Sequence, residues 1–226
     1  MPNRFLKAPP RLLYKYRPIN EHTIDTITQN RIFFPQPSHF NDPFDCNIVP
    51  WPKGIDDDKI AFAYYEKLSN EFGKIRNSMR ICCFSEVNND VLMFAHYSAG
   101  HTGICMEFEV TDVDFFDLLG PVEYPFEFPT FDPTVSPDLM AMMKYEIFTK
   151  HHRWSYEREW RIVKPGAKPE KHEFPEDTLK GIIFGSLIRD TDRQKIESVL
   201  AGRKGKIQMY LAKRIKKSFD LEIEPI

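Results

Sequence analysis

Four short segments of the chain place charged, hydroxyl or imidazole side chains next to aromatic rings. They are residues 14–17, 40–45, 84–101 and 154–161. A pocket that binds a flat polar ligand uses such a mixture, because rings cover the flat faces and a few polar groups fix the orientation. These segments are therefore the candidates for a binding or catalytic site, and the elements of the fold must bring them together.

The first two segments offer a cation and a polar turn. Arg17 ends a predicted strand that Pro18 stops, and its planar guanidinium suits a phosphate or a carboxylate. An exposed arginine at a strand end is the alternative. Asn41 and Asp42 precede Pro43, and such residues build turns because their side chains bond their own backbone. The density of polar residues beside aromatic rings indicates a ligand pocket as well as a turn.

The third segment supplies a hydroxyl group, an imidazole and two rings. Phe84 and Ser85 end a predicted strand, while His96 and Tyr97 lie on a short predicted helix. A histidine can transfer protons near neutral pH, but on a mainly apolar helix it is more often a core residue. Both interpretations of His96 stay open from the sequence.

The fourth segment carries two carboxylates and an arginine. In a strand, Glu157, Glu159 and Arg161 share one face, because side chains alternate between faces. Charges on a face that enters a core are costly unless they are paired. A solvent-facing strand edge is the alternative, although the flanking Trp154 and Trp160 argue against a fully wet strand. Glu159 is the candidate catalytic carboxylate.

The hydrophobic periodicity mixes strand and helix patterns without a steady β-α-β rhythm, which predicts an α+β fold in a single domain, residues 1–226. We expect a compact mixed sheet, or two small sheets around a cleft, with peripheral helices. The predicted strands are residues 12–17, 31–34, 81–85, 104–110, 159–163, 181–188, 207–211 and 221–223. The predicted helices are one that begins near residue 23, then residues 56–79, 91–98, 138–151 and 190–201. Residues 124–137 hold four prolines, which predicts an irregular, mobile flap over the cleft.

Composition narrows the classes of function. The formal net charge is −2 at pH 7, so we expect no non-specific nucleic-acid binding, although a local basic patch stays open. No apolar run approaches the roughly 18–20 residues that cross a bilayer, and we expect a cytoplasmic protein with no membrane partner. The four cysteines lack metal-ligand spacing and are predicted to be reduced thiols, with no bound metal.

The four segments, in this order, resemble an uncharacterised bacterial "domain of unknown function" family. Its marks are Tyr-x-Tyr-Arg, Phe-Asn-Asp-Pro-Phe, Cys-Phe-Ser, Ala-His-Tyr and Tyr-Glu-x-Glu-Trp-Arg. They stand here at residues 14–17, 40–44, 83–85, 95–97 and 156–161. The resemblance spans roughly residues 12–190, and it implies a family without implying a reaction.

The order of strands also resembles the ADP-ribosyltransferase superfamily, which includes bacterial toxins and defence effectors. That resemblance implies an NAD-cleaving enzyme or ADP-ribosyltransferase with NAD as substrate, and it places Arg17, Ser85 and Glu159 in the roles of cation, hydroxyl and late glutamate. His96 is a further catalytic candidate because of its imidazole, independently of that resemblance. Two features depart from the superfamily pattern, namely the absence of a Ser-Thr-Ser run and the presence of two additional blocks, residues 41–42 and 96–97. The implied nucleotide contacts are Arg17, Asn41, Asp42, Phe84, Tyr97 and Arg161.

Two other functions stay open, and the acceptor of any transferred group is not specified by the sequence. A metal-dependent nuclease or phosphoesterase would gather a divalent ion with Asp42, Asp45 and Glu157 or Glu159, with His96 handling protons. A non-catalytic module would use the same groups to recognise a nucleotide or a protein.

Overall fold

The structure is a computed structural model that describes residues 7–55, 57–112, 114–132, 139–166 and 170–226, and the side chains of residues 139–143 are not described. The last five residues of the predicted flap, residues 133–137, lie outside the described residues. The described part of the flap includes a short strand, Thr130–Phe131, and its Tyr124 hydroxyl oxygen accepts a hydrogen bond from the backbone N–H of Glu159 at 2.8 Å.

Within the described residues, twelve strands form one large sheet and two small ones. The strands are β1 (Leu12–Arg17), β2 (Arg31–Phe33), β3 (Trp51–Pro52), β4 (Met79–Ser85), β5 (Ile104–Glu109), β6 (Leu119–Pro121), β7 (Thr130–Phe131), β8 (Glu159–Pro165), β9 (Lys171–Glu173), β10 (Leu179–Phe184), β11 (Gln208–Arg214) and β12 (Leu221–Pro225). The large sheet has the order β12-β11-β10-β5-β1-β4-β8-β6. Its pairs are antiparallel except for β10 with β11. The strand pairs β2–β9 and β3–β7 form the small sheets.

The part of the chain that the structure describes also contains five α-helices: α1 (Glu21–Gln29), α2 (Asp58–Asn77), α3 (Val91–Tyr97), α4 (Leu139–Phe148) and α5 (Asp190–Ala201). Three of them begin at a side-chain cap, which satisfies backbone N–H groups that have no partner in the first turn. Asn20 caps α1, accepting from the N–H of Thr23 at 3.0 Å, so the helix begins slightly before the predicted start near residue 23. Asp57 and Asp90 cap α2 and α3.

The α+β prediction is confirmed, but the principal sheet is one continuous eight-stranded sheet. The alternative expectation of two small sheets around a cleft is therefore wrong for the main sheet. The physical reason is the pairing of β1, which lies between β5 and β4. It pairs with β5 over its whole length, but with β4 only through Tyr14 and Ser85. This short pairing, the joint between β1 and β4, connects the strands on either side into one sheet and leaves an opening beside it.

The two faces of the sheet differ in chemistry. One face is packed with apolar side chains, including Leu13 of β1, Phe84 of β4 and Ile162 of β8. The other face takes the alternate residues of the same strands, as the two-residue period requires. There Tyr14 and Tyr16 pack in an aromatic cluster, while Glu159 and Arg161 place charges beside it. Among the described residues, no helix has the length and apolar character needed to cross a membrane.

Candidate functional site

The charged side chains of the site are presented by β8 and the turn before it. A 3-10 helix, His152–Glu157, ends at Arg158, whose positive φ of 42° turns the chain into β8. Glu157 therefore precedes the strand, which corrects the expectation that it shares a strand face with Glu159. The Ser85 hydroxyl donates to the backbone carbonyl of Glu157 at 2.6 Å and fixes this turn against β4.

Arg161 is the anchor of a buried ionic cluster and has no exposed surface. Its guanidinium donates to both carboxylate oxygens of Glu159 at 2.9 Å, and to Asp45 Oδ1 at 2.7 Å. Nη1 donates to the backbone carbonyl of Ile147 and to Cys46 Sγ. A planar guanidinium that is satisfied on several sides can be buried at a tolerable cost.

Lys150 brings a second cation to the same carboxylates. Its Nζ lies 2.7 Å from Glu157 Oε2, 3.2 Å from Asp45 Oδ2 and 3.8 Å from Glu159 Oε2. Burial alone would lower the pKa of Lys150, but the three carboxylates outweigh burial and raise it. The ammonium therefore stays charged at the centre of the cluster.

The carboxyl group of Glu157 is held in a different state from that of Glu159. Burial raises the pKa of Glu157, and repulsion from Glu159 raises it further, against the opposing effect of Lys150. The Tyr97 hydroxyl donates to Glu157 Oε1 at 2.5 Å. Glu157 is thus the carboxyl group of the cluster that can gain and lose a proton near neutral pH.

Glu159 remains ionised. Burial by itself would raise its pKa, but the charges of Arg161 and Lys150 outweigh burial, and the pKa of Glu159 is lowered. Three carboxyl groups, those of Asp45, Glu157 and Glu159, therefore share the two cations Arg161 and Lys150.

A small cavity of about 140 Å³ opens onto this cluster at the joint between β1 and β4. Its polar lining is formed by Lys15, Asn41, Asp45, Cys83, Ser85, Lys150, Glu157 and Glu159. Its rings come from Tyr14, Tyr16, Phe40, Phe84 and Tyr97. The cavity combines ionised groups with aromatic faces in a confined space, where electrostatic interactions are stronger than in water.

A larger groove of about 750 Å³ lies next to the small cavity, and Lys150 lines both. Rings of Phe44, Phe126, Phe128, Trp154 and Tyr156 form much of its wall. The Lys150 Nζ lies 4.5 Å from the centroid of the Trp154 ring, so a cation–π contact marks the boundary between the two spaces. A volume of this size is ordinary for a small-molecule site.

The structure brings together most of the residues that the sequence singled out. Five line the small cavity, namely Glu159, Ser85, Phe84, Asn41 and Tyr97. Asp42 and His96 line the groove. Arg161 lies beneath Glu159 as its ion-pair partner. His96 is exposed, so it is not the core histidine that its helix suggested as one interpretation.

Arg17 lies apart from this group, contrary to the expectation that it joins Glu159 and the Asn41–Asp42 turn. It has the same parity in β1 as Leu13, and therefore projects on the apolar side of the sheet, away from the carboxylates. Its Nε and Nη2 atoms are buried without a hydrogen-bond partner among the described residues. Burial lowers the pKa of Arg17.

Lys150 is the centre of the site, but it belongs to none of the four segments singled out from the sequence. It follows the end of α4, where neither periodicity nor a motif indicates a functional residue. Tyr124 was assigned to a flap, yet its hydroxyl oxygen binds the backbone of Glu159. The sequence did contain one indication of such a residue. Two carboxylates that enter a core need cations beside them, so a pair such as Glu157 and Glu159 implies a cationic partner elsewhere in the chain.

The contacts of the cluster can be compared with the metal site of the nuclease alternative and with the prediction of reduced thiols. The Lys150 ammonium lies among Asp45, Glu157 and Glu159, three of the carboxylates that a nuclease site would use. Over the described ranges, no group of three or more acidic, histidine or cysteine side chains is arranged to hold a metal ion. Burial raises the pKa of the Cys46 and Cys83 thiols well above their ordinary value, which keeps them protonated.

The chain matches no family model, no curated protein and no solved structure.

Proposed function

We propose that the protein is an enzyme that breaks a glycosidic bond of a nucleotide, with NAD as substrate and either hydrolysis or ADP-ribose transfer as the outcome. One observation carries the proposal: Glu157 and Glu159 face the same cavity, and their pKa values are shifted in opposite directions. Pairs of carboxyl groups separated in this way divide the roles of proton transfer and charge stabilisation in glycosidic chemistry.

Glu159 takes the electrostatic role. Breaking the bond between nicotinamide and ribose leaves the bonding electron pair on the nicotinamide nitrogen and develops positive charge on the sugar. An ionised carboxylate held rigidly by Arg161 stabilises that charge without reorganising. The rings that line the cavity also suit the cationic nicotinamide ring before cleavage.

Glu157 takes the proton-transfer role. A nucleophile that attacks the sugar, water or an acceptor hydroxyl, must lose a proton, and Glu157 can accept it once its own proton is lost. Tyr97 and Lys150 hold the two oxygens of this carboxyl group in place. Since the pKa of Glu157 is raised, turnover is expected to rise with pH through that raised value.

The groove takes the remainder of the nucleotide. Its aromatic wall, which includes Trp154 and Tyr156, offers stacking surfaces for a base. Ser85 is already bonded to the Glu157 carbonyl and to the N–H of Val87, so its role is to fix Glu157. Arg17 has no assigned contact with the ligand in this arrangement.

The test is nicotinamide release from NAD by the intact protein with divalent ions chelated. Glu159→Gln is expected to lower turnover on the order of a hundredfold or more while leaving most NAD binding in place. Glu157→Gln should also lower turnover and should remove the rise of activity with pH. Glu66→Gln, an exposed glutamate of α2, is the matched control and should behave as wild type.

The proposal fails if the wild-type protein releases no nicotinamide with any acceptor offered. It also fails if activity requires a divalent ion, which would favour the nuclease function. NAD that raises the melting temperature without being cleaved would instead indicate a binding module.

A further inference from the structure

The turn between β11 and β12 presents cations and apolar side chains to solvent together. Residues 213–220 read Lys-Arg-Ile-Lys-Lys-Ser-Phe-Asp, and all are exposed. The Phe219 side chain is 98% exposed and Ile215 is 41% exposed. We call residues 214–219 the hairpin tip. A single exposed apolar residue needs no explanation, but two of them among three cations form a small patch of defined chemistry.

The hairpin tip is held in one conformation by its own hydrogen bonds. The N–H of Ile215 donates to the carbonyl of Asp220 at 3.2 Å, and the N–H of Ser218 donates to the carbonyl of Ile215 at 3.3 Å. Lys217 adopts a positive φ of 60°, which closes the turn. Phe219 is therefore presented to solvent by ordered backbone.

The cations of the hairpin tip are not used inside the molecule. Lys213, at its base, pairs with Glu224 across the two strands. Arg214, Lys216 and Lys217 form no ion pair with any residue that the structure describes. Three uncompensated positive charges on one turn contrast with the overall net charge of −2, so this patch is locally basic in an acidic molecule.

We propose that the hairpin tip docks on an anionic lipid surface, with Phe219 and Ile215 entering the interface and Arg214, Lys216 and Lys217 contacting phosphate groups. The register ends at Arg214 and Leu221, so the turn extends beyond the paired strands as a protrusion. A protrusion can enter a lipid interface, whereas single-stranded nucleic acid is bound in grooves lined by several rings. Ile215 adds apolar area but no stacking face. This contact needs no membrane-spanning segment and does not depend on the proposed enzymatic function.

The experiment is co-sedimentation of the full chain with lipid vesicles. Phosphatidylcholine vesicles are compared with vesicles in which part of that lipid is replaced by phosphatidylglycerol, at low and high salt. Wild type should bind only the anionic vesicles, and less at high salt. Lys216→Gln with Lys217→Gln should weaken binding by about 25-fold, at about fivefold for each cation removed. Phe219→Ser should weaken it at both salt concentrations.

Matched controls lie at the opposite end of β11 and on α2. Lys204→Gln with Lys206→Gln removes two exposed lysines just before β11, and Phe62→Ser removes an exposed phenylalanine. Both controls should bind like wild type, and all variants should keep the wild-type melting temperature. The proposal is overturned if wild type binds neither vesicle, or if it binds both equally. It is also overturned if the controls lose as much binding as the tip variants, or if a single-stranded oligonucleotide displaces the vesicles with the same dependence on Phe219.

Discussion

Arg161 and Ile162 are neighbours on β8, and neither side chain has any contact with solvent. Ile162 packs into the apolar face of the sheet, among rings and aliphatic groups. Arg161 enters the opposite face and meets Asp45, Glu159 and a backbone carbonyl. The two side chains are equally buried, but different interactions stabilise them in the folded protein. The apolar face is stabilised by area removed from water, whereas the charged face depends on every member keeping its partner.

That difference explains why only one face is a candidate site. An apolar core tolerates apolar substitutions that conserve its volume at a small cost in stability. Its aliphatic and aromatic side chains have no groups that exchange protons. The charged face stores ionisable groups in fixed positions and in altered protonation states, which is what acid–base chemistry requires. Because buried charges are costly without partners, the stability of the charged face is sensitive to the loss of a single ion-pair partner.

The largest expected effect follows from removing Arg161. Arg161→Met leaves Asp45 and Glu159 buried beside Lys150 alone, and should lower the free energy of unfolding by about 3–5 kcal/mol. The loss should be smaller in mildly acidic solution, because Glu159 without Arg161 loses the main charge that lowers its pKa and can be protonated there. Urea unfolding at two pH values measures both statements. A loss under about 1 kcal/mol would show that the cluster is not a stabilising network.

The neighbouring position supplies the control for that experiment. Ile162→Val removes one methylene group from the apolar face and should cost about 0.5–1.5 kcal/mol. Because no titratable group is involved, its effect should be the same at both pH values. A pH-dependent effect of Ile162→Val would contradict the separation of the two faces.

An intermediate effect is expected at Glu146, a buried carboxyl group outside the Arg161–Lys150 cluster. It pairs with Arg76 at 3.0 Å, and burial raises its pKa to about 7 despite that cation. The folded state therefore holds the Glu146 proton more tightly than the unfolded state. The stability that this proton provides is lost as pH rises from the ordinary glutamate value of 4.5 to about 7.

Replacing Glu146 by glutamine should remove that dependence. The difference in free energy of unfolding between wild type and Glu146→Gln should change by about 1–3 kcal/mol between about pH 4 and about pH 8. Urea unfolding across this range is the measurement, with Glu66→Gln as an exposed control. Parallel curves for wild type and Glu146→Gln would show that the pKa is not raised.

The smallest effect is expected in the turn beside the cavity. Asp42 Oδ1 accepts from the N–H of Phe44 at 2.9 Å, which is the local bond that the sequence predicted for this turn. Asp42→Ala should lower the free energy of unfolding by about 0.5–2 kcal/mol. Thermal unfolding measures it, and an unchanged melting temperature would mean that the bond contributes nothing to stability.

The sequence predicted local structure well where one short-range signal dominated. The helix over residues 190–201 was predicted with its observed bounds, and the strand predicted at residues 104–110 is β5, Ile104–Glu109. The alternation of side chains along a strand put Glu159 and Arg161 on one face, as observed. Each of these inferences needs only the periods of helix and strand.

The site was predicted less completely because its assembly is non-local. Asp45 and Lys150 meet Arg161 or its partners across long stretches of chain, and no periodic pattern relates them. Arg17 shows the opposite failure: its residue type suited a phosphate, but the two-residue period of β1 already implied the face opposite to Tyr14 and Tyr16. Which of those faces carries the site became apparent only from the pairing of β1 with β4.

Glu157 and Glu159, separated by one residue, are expected to titrate in opposite directions from an ordinary glutamate. Carbon-13 NMR of the glutamate carboxyl groups across a pH series measures this directly, with Glu157→Gln and Glu159→Gln assigning the two signals. We expect Glu157 to titrate above the ordinary range and Glu159 below it. In Glu159→Gln, the pKa of Glu157 should fall, because the repelling charge is gone. Two signals that both titrate in the ordinary range, or a Glu159 that holds its proton more tightly than Glu157, would contradict the roles assigned to the two groups.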